Sequence, residues 1–149
     1  MKRAQWLFLI ILGVILFSQL SCGRKAPPFV PKERVHLRVT QLKGEWKKGD
    51  VVLKGRVAVP QGGENEISQI TGCRVYHARF SLGNPPCETC PIKYKAYTEI
   101  EGEVIKGDRF SCRLQEEKKK GLHFFEVRLI GRRGAPGPSS NKVKLTIDN

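Results

Sequence analysis

Five cysteines and three histidines are the residues of this chain whose types and spacing could do chemistry. Cys87 and Cys90 stand in a loop bounded by Pro85-Pro86 and Pro91, with the Cys-x-x-Cys spacing of thiol-disulfide redox sites and of zinc knuckles. Redox chemistry of that kind uses a helix N-terminus to lower a thiol pKa, and nothing helical is predicted after Cys90. A four-cysteine zinc site needs a second such pair, which the chain lacks. Covalent haem attachment needs His directly after the second cysteine, where Pro91 stands. Cys87, Cys90, Cys73 and Cys112 remain as disulfide candidates, and four cysteines allow three pairings. A Cys87–Cys90 bond would close a very short ring. Cys73 and Cys112, on different predicted strands, could bridge only with Cα atoms within about 7 Å. His36, His77 and His123 fall in three separate strands, with no Ser-His-Asp arrangement, paired carboxylates or phosphate-cradling glycine loop. The expectation is a non-enzyme with no metal site and no cofactor.

The fifth cysteine, Cys22, sits elsewhere in the logic of the chain. Lys2 and Arg3 precede an unbroken apolar run from Trp6 to Phe17, which Ser18-Gln19-Leu20-Ser21-Cys22-Gly23 closes with small and polar residues. That run is shorter than the roughly 20 residues a bilayer span needs, but it suits the apolar region of a cleaved signal peptide. The segment resembles a bacterial lipoprotein signal, in which a short apolar-and-small motif ends at a cysteine that receives lipid. Ser21 and Cys22 fit the last two positions, while Gln19 stands where that group usually has Leu. The resemblance implies a signal peptide over residues 1–21 and acylation, palmitate included, at Cys22. It also implies a protein held in the cell envelope. Gly23 in place of Asp favours the outer over the inner membrane if the source is Gram-negative. Residues 22–34 carry three prolines among charged residues, which predicts an extended, semi-rigid tether.

Charge narrows the partners. The chain has 27 Lys and Arg against 14 Asp and Glu, a net charge of +13, and the signal holds two of the bases and no acid, so +11 remains on the mature chain. Such a charge gathers anions around it. The bases are scattered through the predicted strands, and Glu116-Glu117-Lys118-Lys119-Lys120 mixes signs as a solvated turn does. The expected partners are the membrane, through the N-terminal lipid, and an envelope protein or polysaccharide. An anionic envelope polymer or lipid headgroups form the alternative, an envelope thiol-redox role a weaker one, and nucleic acid is not expected.

The elements that must position these residues are short alternating segments punctuated by Gly, Pro, Asn and Asp, a pattern that predicts an all-β domain over residues 35–149. Seven strands are expected: one over 35–39, then, after a turn over 43–50, others over 51–59, 73–80 and 92–98. Three more are centred on Phe110-Cys112-Leu114, Phe125-Val127-Leu129 and Val143-Leu145-Ile147. Residues 61–66 read as a loop. Two segments carry a family resemblance. Ile70-Thr71-Gly72-Cys73-Arg74-Val75-Tyr76 is similar to strand C of fibronectin type III domains. Phe125 to Ile130, with the following Gly131-Arg132-Arg133-Gly134 and Ser139-Ser140-Asn141, is similar to their strand F, F–G turn and entry to strand G. The resemblance implies a seven-stranded immunoglobulin-like sandwich and a tethered binding or scaffold module. The chain departs from the family in that Phe125 stands at the tyrosine-corner position and Gly55 near the place of the buried Trp. Cys73 and Cys112 replace core residues, and Lys106-Gly107-Asp108 has Lys where an adhesion tripeptide has Arg.

Overall fold

The computed structural model describes residue 3 and residues 35–87, 90–115 and 119–148. Cys22 and the expected signal peptide and tether, residue 3 apart, lie outside the described residues. Residues Lys32–Asn149 form one compact unit. Its strands are β1 (Arg38–Lys47), β2 (Asp50–Ala58), β3 (Ile70–Phe80), β4 (Ala96–Glu101), β5 (Ile105–Lys106), β6 (Arg109–Gln115), β7 (Gly121–Gly131) and β8 (Val143–Ile147). They make two four-stranded sheets, ordered β1-β2-β6-β5 and β4-β3-β7-β8, with every pairing antiparallel. Lettered in the immunoglobulin manner, β1, β2 and β6 of the first sheet are A, B and E, with β5 added beyond E, and the second sheet is C′-C-F-G. The sandwich expected from the sequence is therefore present, with one strand more than the seven predicted.

The eighth strand is β5. Gly107, at φ 61°, turns the chain tightly enough for Ile105 and Lys106 to fold back on Phe110 and Arg109. Two boundaries also differ from expectation. The predicted turn over 43–50 is mostly strand: β1 runs to Lys47, and the reversal needs only Lys48 and Gly49, whose φ values of 52° and 91° suit a two-residue hairpin. A bulge at Gln41 (φ 51°) shifts the phase of β1, so that Leu42 is buried and Trp46 packs half-buried on the core. The strand expected over 92–98 begins instead at Ala96, because the loop carrying Cys87, Cys90 and Pro91 holds residues 91–95 out of the sheet. A 3-10 helix, Glu64–Gln69, also occupies part of the expected loop over 61–66.

Inward side chains of both sheets, with Leu37 just ahead of β1, meet in one core that includes Val39, Leu53, Val75, Phe110, Phe125, Val127 and Leu129. The strand phase of β7 is the one read from the sequence: Phe125, Val127 and Leu129 are wholly buried, while Glu126 and Arg128 face outward and are half-buried. Phe110 lies opposite Gly55 across the β2–β6 pair and fills the core there, where the family's Trp would stand. The Ser139-Ser140-Asn141 segment acts as a fastener between elements. Ser140 Oγ accepts a bond from Val127 N (2.9 Å) and donates to the Asn141 carbonyl (2.8 Å). Asn141 accepts from Leu42 N at 2.8 Å and donates to Leu42 O at 2.9 Å, so its amide satisfies both backbone groups freed by the bulge in β1.

Candidate functional site

The four cysteines of the sandwich separate into two kinds. Cys87 and Cys90 form a disulfide with Cα atoms 5.2 Å apart, closing a turn in which Cys90 N also donates to Cys87 O. Residues 91–95 after it are not helical, so among the described residues no helix starts after Cys90 to stabilise a thiolate at this pair. Cys73 on β3 and Cys112 on β6 are free and buried, one from each sheet. A hydrogen bond with the Cys112 thiol, reinforced by burial, holds the Cys73 thiol far above its usual range. A thiol that stays protonated is not a nucleophile. Non-reducing peptide mapping is therefore expected to recover a Cys87–Cys90 linked peptide, with Cys73 and Cys112 alkylating only after denaturation. Reduction of the Cys87–Cys90 ring should lower stability by less than about 2 kcal/mol, because so short a loop constrains little of the unfolded chain. Alkylation of all four cysteines in the native, unreduced protein would contradict this assignment.

The fold joins two of the three histidines that the sequence keeps apart. His77 and His123 come from paired strands, with His77 Nε2 and His123 Nδ1 2.9 Å apart and the ring planes nearly parallel, at 7°. His123 Nε2 lies 2.7 Å from the Lys119 carbonyl, which only accepts. His123 therefore donates through Nε2 and accepts through Nδ1 from His77 Nε2–H, a tautomer fixed by the network. Phe125 stacks on His77 at 4.6 Å, and His123 is 1% exposed. Both ring nitrogens of His123 are thus engaged, and the pair packs the sheet. His36 takes another role: its backbone N–H and Nδ1 each lie 3.0 Å from the Glu66 carboxylate. The His36 contacts hold that carboxyl below its usual range. Among the described residues, no group of three His, Cys, Asp or Glu side chains converges as a metal site requires.

The outward surface of the second sheet is aromatic and cationic. Tyr97 and Tyr94 flank Tyr76, with centroids 5.5 and 5.9 Å away. Arg74 lies 4.7 Å above the Tyr97 ring and Arg128 5.2 Å above that of Tyr76. Glu99 binds Arg74 at 2.9 Å and Glu126 binds Arg128 at 3.3 Å. Burial, with the Glu126 charge behind it, raises the Tyr94 hydroxyl to about 12. Rings and guanidiniums here cover one another, as cation–π pairs do, and only Tyr97 stays half exposed.

The outward surface of the first sheet is basic, and reading the residues in sequence order missed it. Alternate positions place Arg38, Lys43 and Lys47 on β1, Lys54 and Arg56 on β2, Lys106 on β5, and Arg109 and Arg113 on β6, all exposed. The acids among them are Glu45, 3.0 Å from Lys54, and Asp50, 3.6 Å from Arg113. Lys54 draws the Glu45 carboxyl below its usual range. Lys43 stands opposite Lys54, Arg56 opposite Arg109, and Arg109 opposite Lys106. The signal that could have found this face is the alternation within each strand. What it lacked was the strand order.

No protein-family model and no curated protein matches this chain. Solved structures similar to it include the FN1–FN3 domains of chicken CNTN1, with 10% identity over 75% of this chain and 32% of that one, at a TM-score of 0.45. A structure described as a myokine has 17% identity over 80% of this chain and 100% of that one, at a TM-score of 0.38. Astrotactin-2, described as a vertebrate-specific, perforin-like membrane protein, has 12% identity over 86% of this chain and 24% of that one, at a TM-score of 0.43. The chain spans about a third of the CNTN1 structure and a quarter of astrotactin-2. Likeness at this level carries no argument about activity or partners. The fibronectin type III-like class of the domain follows from its own strand order, two antiparallel sheets arranged A-B-E, with the short β5 added at the edge beyond E, and C′-C-F-G.

Proposed function

We propose that this chain is a lipid-anchored, non-catalytic binding or scaffold module of the bacterial cell envelope, with Cys22 as the acylated N-terminus and residues 22–34 as its tether. The observation that carries the reading is the order of the chain. A charged and apolar leader ending at Ser21-Cys22-Gly23 is followed by a proline-rich stretch, and then by a sandwich domain whose first sheet exposes a basic outer face. A fold of this kind hosts many roles, so function rests on its surfaces and its anchor rather than on the fold itself. More than one acyl chain makes such anchoring durable, since a single chain holds only marginally.

Labelled palmitate is expected to enter the wild-type protein and not the Cys22→Ser variant, and Cys22→Ser should accumulate as unprocessed precursor or appear in the soluble fraction. A Cys22→Ser protein that loses its signal and still fractionates with membranes would overturn the anchor. Crosslinking in cells, followed by capture from the envelope fraction, identifies what the domain holds.

A further inference from the structure

We propose that the outward face of the β1-β2-β6-β5 sheet lies on an anionic phospholipid surface, binding headgroup phosphates through a basic row centred on Arg56, Arg109 and Lys106. These three side chains stand directly opposite one another across three adjacent strands, about 5 Å apart at the backbone. All are exposed, and none has an ion-pair partner among the described residues. Like charges placed directly opposite on a sheet are destabilising. The sheet therefore carries a row of bases that works against its own stability, the arrangement expected where an external anion supplies the missing charge.

The relief of the face fits a set of small anions. Two shallow depressions adjoin at Lys54 and Gly55. One, of about 620 Å³, is lined in part by Lys54, Lys106, Arg109, Ser111 and the single acid Glu103. The other, of about 490 Å³, is lined in part by Lys43, Lys54, Arg56 and Glu45. Neither has an exposed aromatic ring on which a sugar could stack, and neither has a large apolar side chain to insert into acyl chains. Recognition is by charge at headgroup depth, with Ser111 as an added hydroxyl donor.

Chain length selects a membrane rather than a dissolved anion. This step rests on the anchoring proposed above. If Cys22 is acylated, the 13 steps from Cys22 to Val35, where the described domain starts, allow at most about 47 Å between the bilayer and the domain. Thr40, five residues further on, pairs with Arg56 in the basic row. The face is thereby confined near headgroups at high effective concentration, where weak contacts are enough. Each base close to an anionic leaflet strengthens binding about fivefold.

The test uses the Lys32–Asn149 unit, which contains every core residue and lacks Cys22, sedimented with vesicles. Vesicles of phosphatidylcholine mixed with phosphatidylglycerol are compared with phosphatidylcholine alone, at low and high salt. Binding is expected only to the mixed vesicles, and should collapse as salt rises. Arg56→Gln/Lys106→Gln/Arg109→Gln should weaken it on the order of a hundredfold, and should melt no earlier than wild type because it removes opposed like charges. Arg79→Gln/Lys142→Gln/Lys144→Gln, with the same change of net charge but drawn from exposed positions of β3 and the β8 region, should stay within about tenfold of wild type. Equal loss in the two triple variants would overturn the proposal in favour of net charge alone. Equal binding to pure phosphatidylcholine would overturn it, and so would capture of soluble polyphosphate without capture of mixed vesicles. Because this unit has no Cys22, the vesicle result stands or falls separately from the palmitate result on the anchor.

Discussion

Phe125→Ala is expected to lower the stability of the sandwich by about 3–5 kcal/mol, the range for removing a large aromatic side chain from a closed core. Phe125 is 0% exposed, lies on the central strand β7, and stacks on His77 with nearly parallel rings 4.6 Å apart. Its removal leaves a cavity between the sheets. It also strips one wall from the His77–His123 pair, whose hydrogen bond holds adjacent strands in register. The neighbouring residue supplies the control. Phe124 points to the opposite face, is half-buried, and meets Phe80 edge-on at 5.6 Å. Phe124→Ala should lose only about 1 kcal/mol, in proportion to the smaller apolar area it withdraws from water. Chemical denaturation of the two variants reads the difference directly. Two adjacent phenylalanines of identical composition differ only in strand phase, so equal losses, or a larger loss at Phe124, would mean that β7 is out of register.

Gly72→Ala is expected to be the most damaging of the small substitutions, at about 2–3 kcal/mol, through overpacking against backbone. A Cβ at Gly72 would fall on the carbonyl oxygen of Ile100 and within 3.1 Å of the Glu101 Cα. Both belong to β4, and neither is the yielding end of a side chain. Gly72 sits at the bulge of β3, paired with Glu101 on one side and Ile130 on the other, so the strand has nowhere to retreat. The edge strand must then separate from β3. Amide exchange in residues 96–101 should accelerate together with the fall in unfolding midpoint. Gly83→Ala is the matched control: nothing lies within 4 Å of its Cβ position, and its effect should stay within about 0.5 kcal/mol. Silence at Gly72 would show that β4 does not approach β3 as closely as described.

Much of this molecule was legible before any coordinate. Alternation at Phe125, Val127 and Leu129, and again at Val143, Leu145 and Ile147, gives strands and their phase, since side chains reverse face at every residue. Gly72 and the Ser139-Ser140-Asn141 segment were visible as parts of a family-like pattern. Their reasons, a close backbone approach and a clamp on a bulge, were not. The Lys43–Asp50 segment misled because charged residues read as a turn, whereas a strand with one solvent face accepts charge at alternate positions. The extra strand β5 is two residues long and carries no periodicity to detect.

By itself, the sequence determined the all-β character, the count of cysteines and the excess of base over acid, because each depends on residue identity or on short-range spacing. Only the tertiary structure decided which residues meet. It joined His77 to His123 across a strand pair, set Cys73 against Cys112 from opposite sheets, and left Cys87 and Cys90 bonded in their loop. It also gathered Arg56, Arg109 and Lys106 into one row. In sequence Arg56 stands far from the other two, and the bases look scattered. Strand order and register place them side by side, and those depend on long-range packing of the two apolar faces, which no local pattern records.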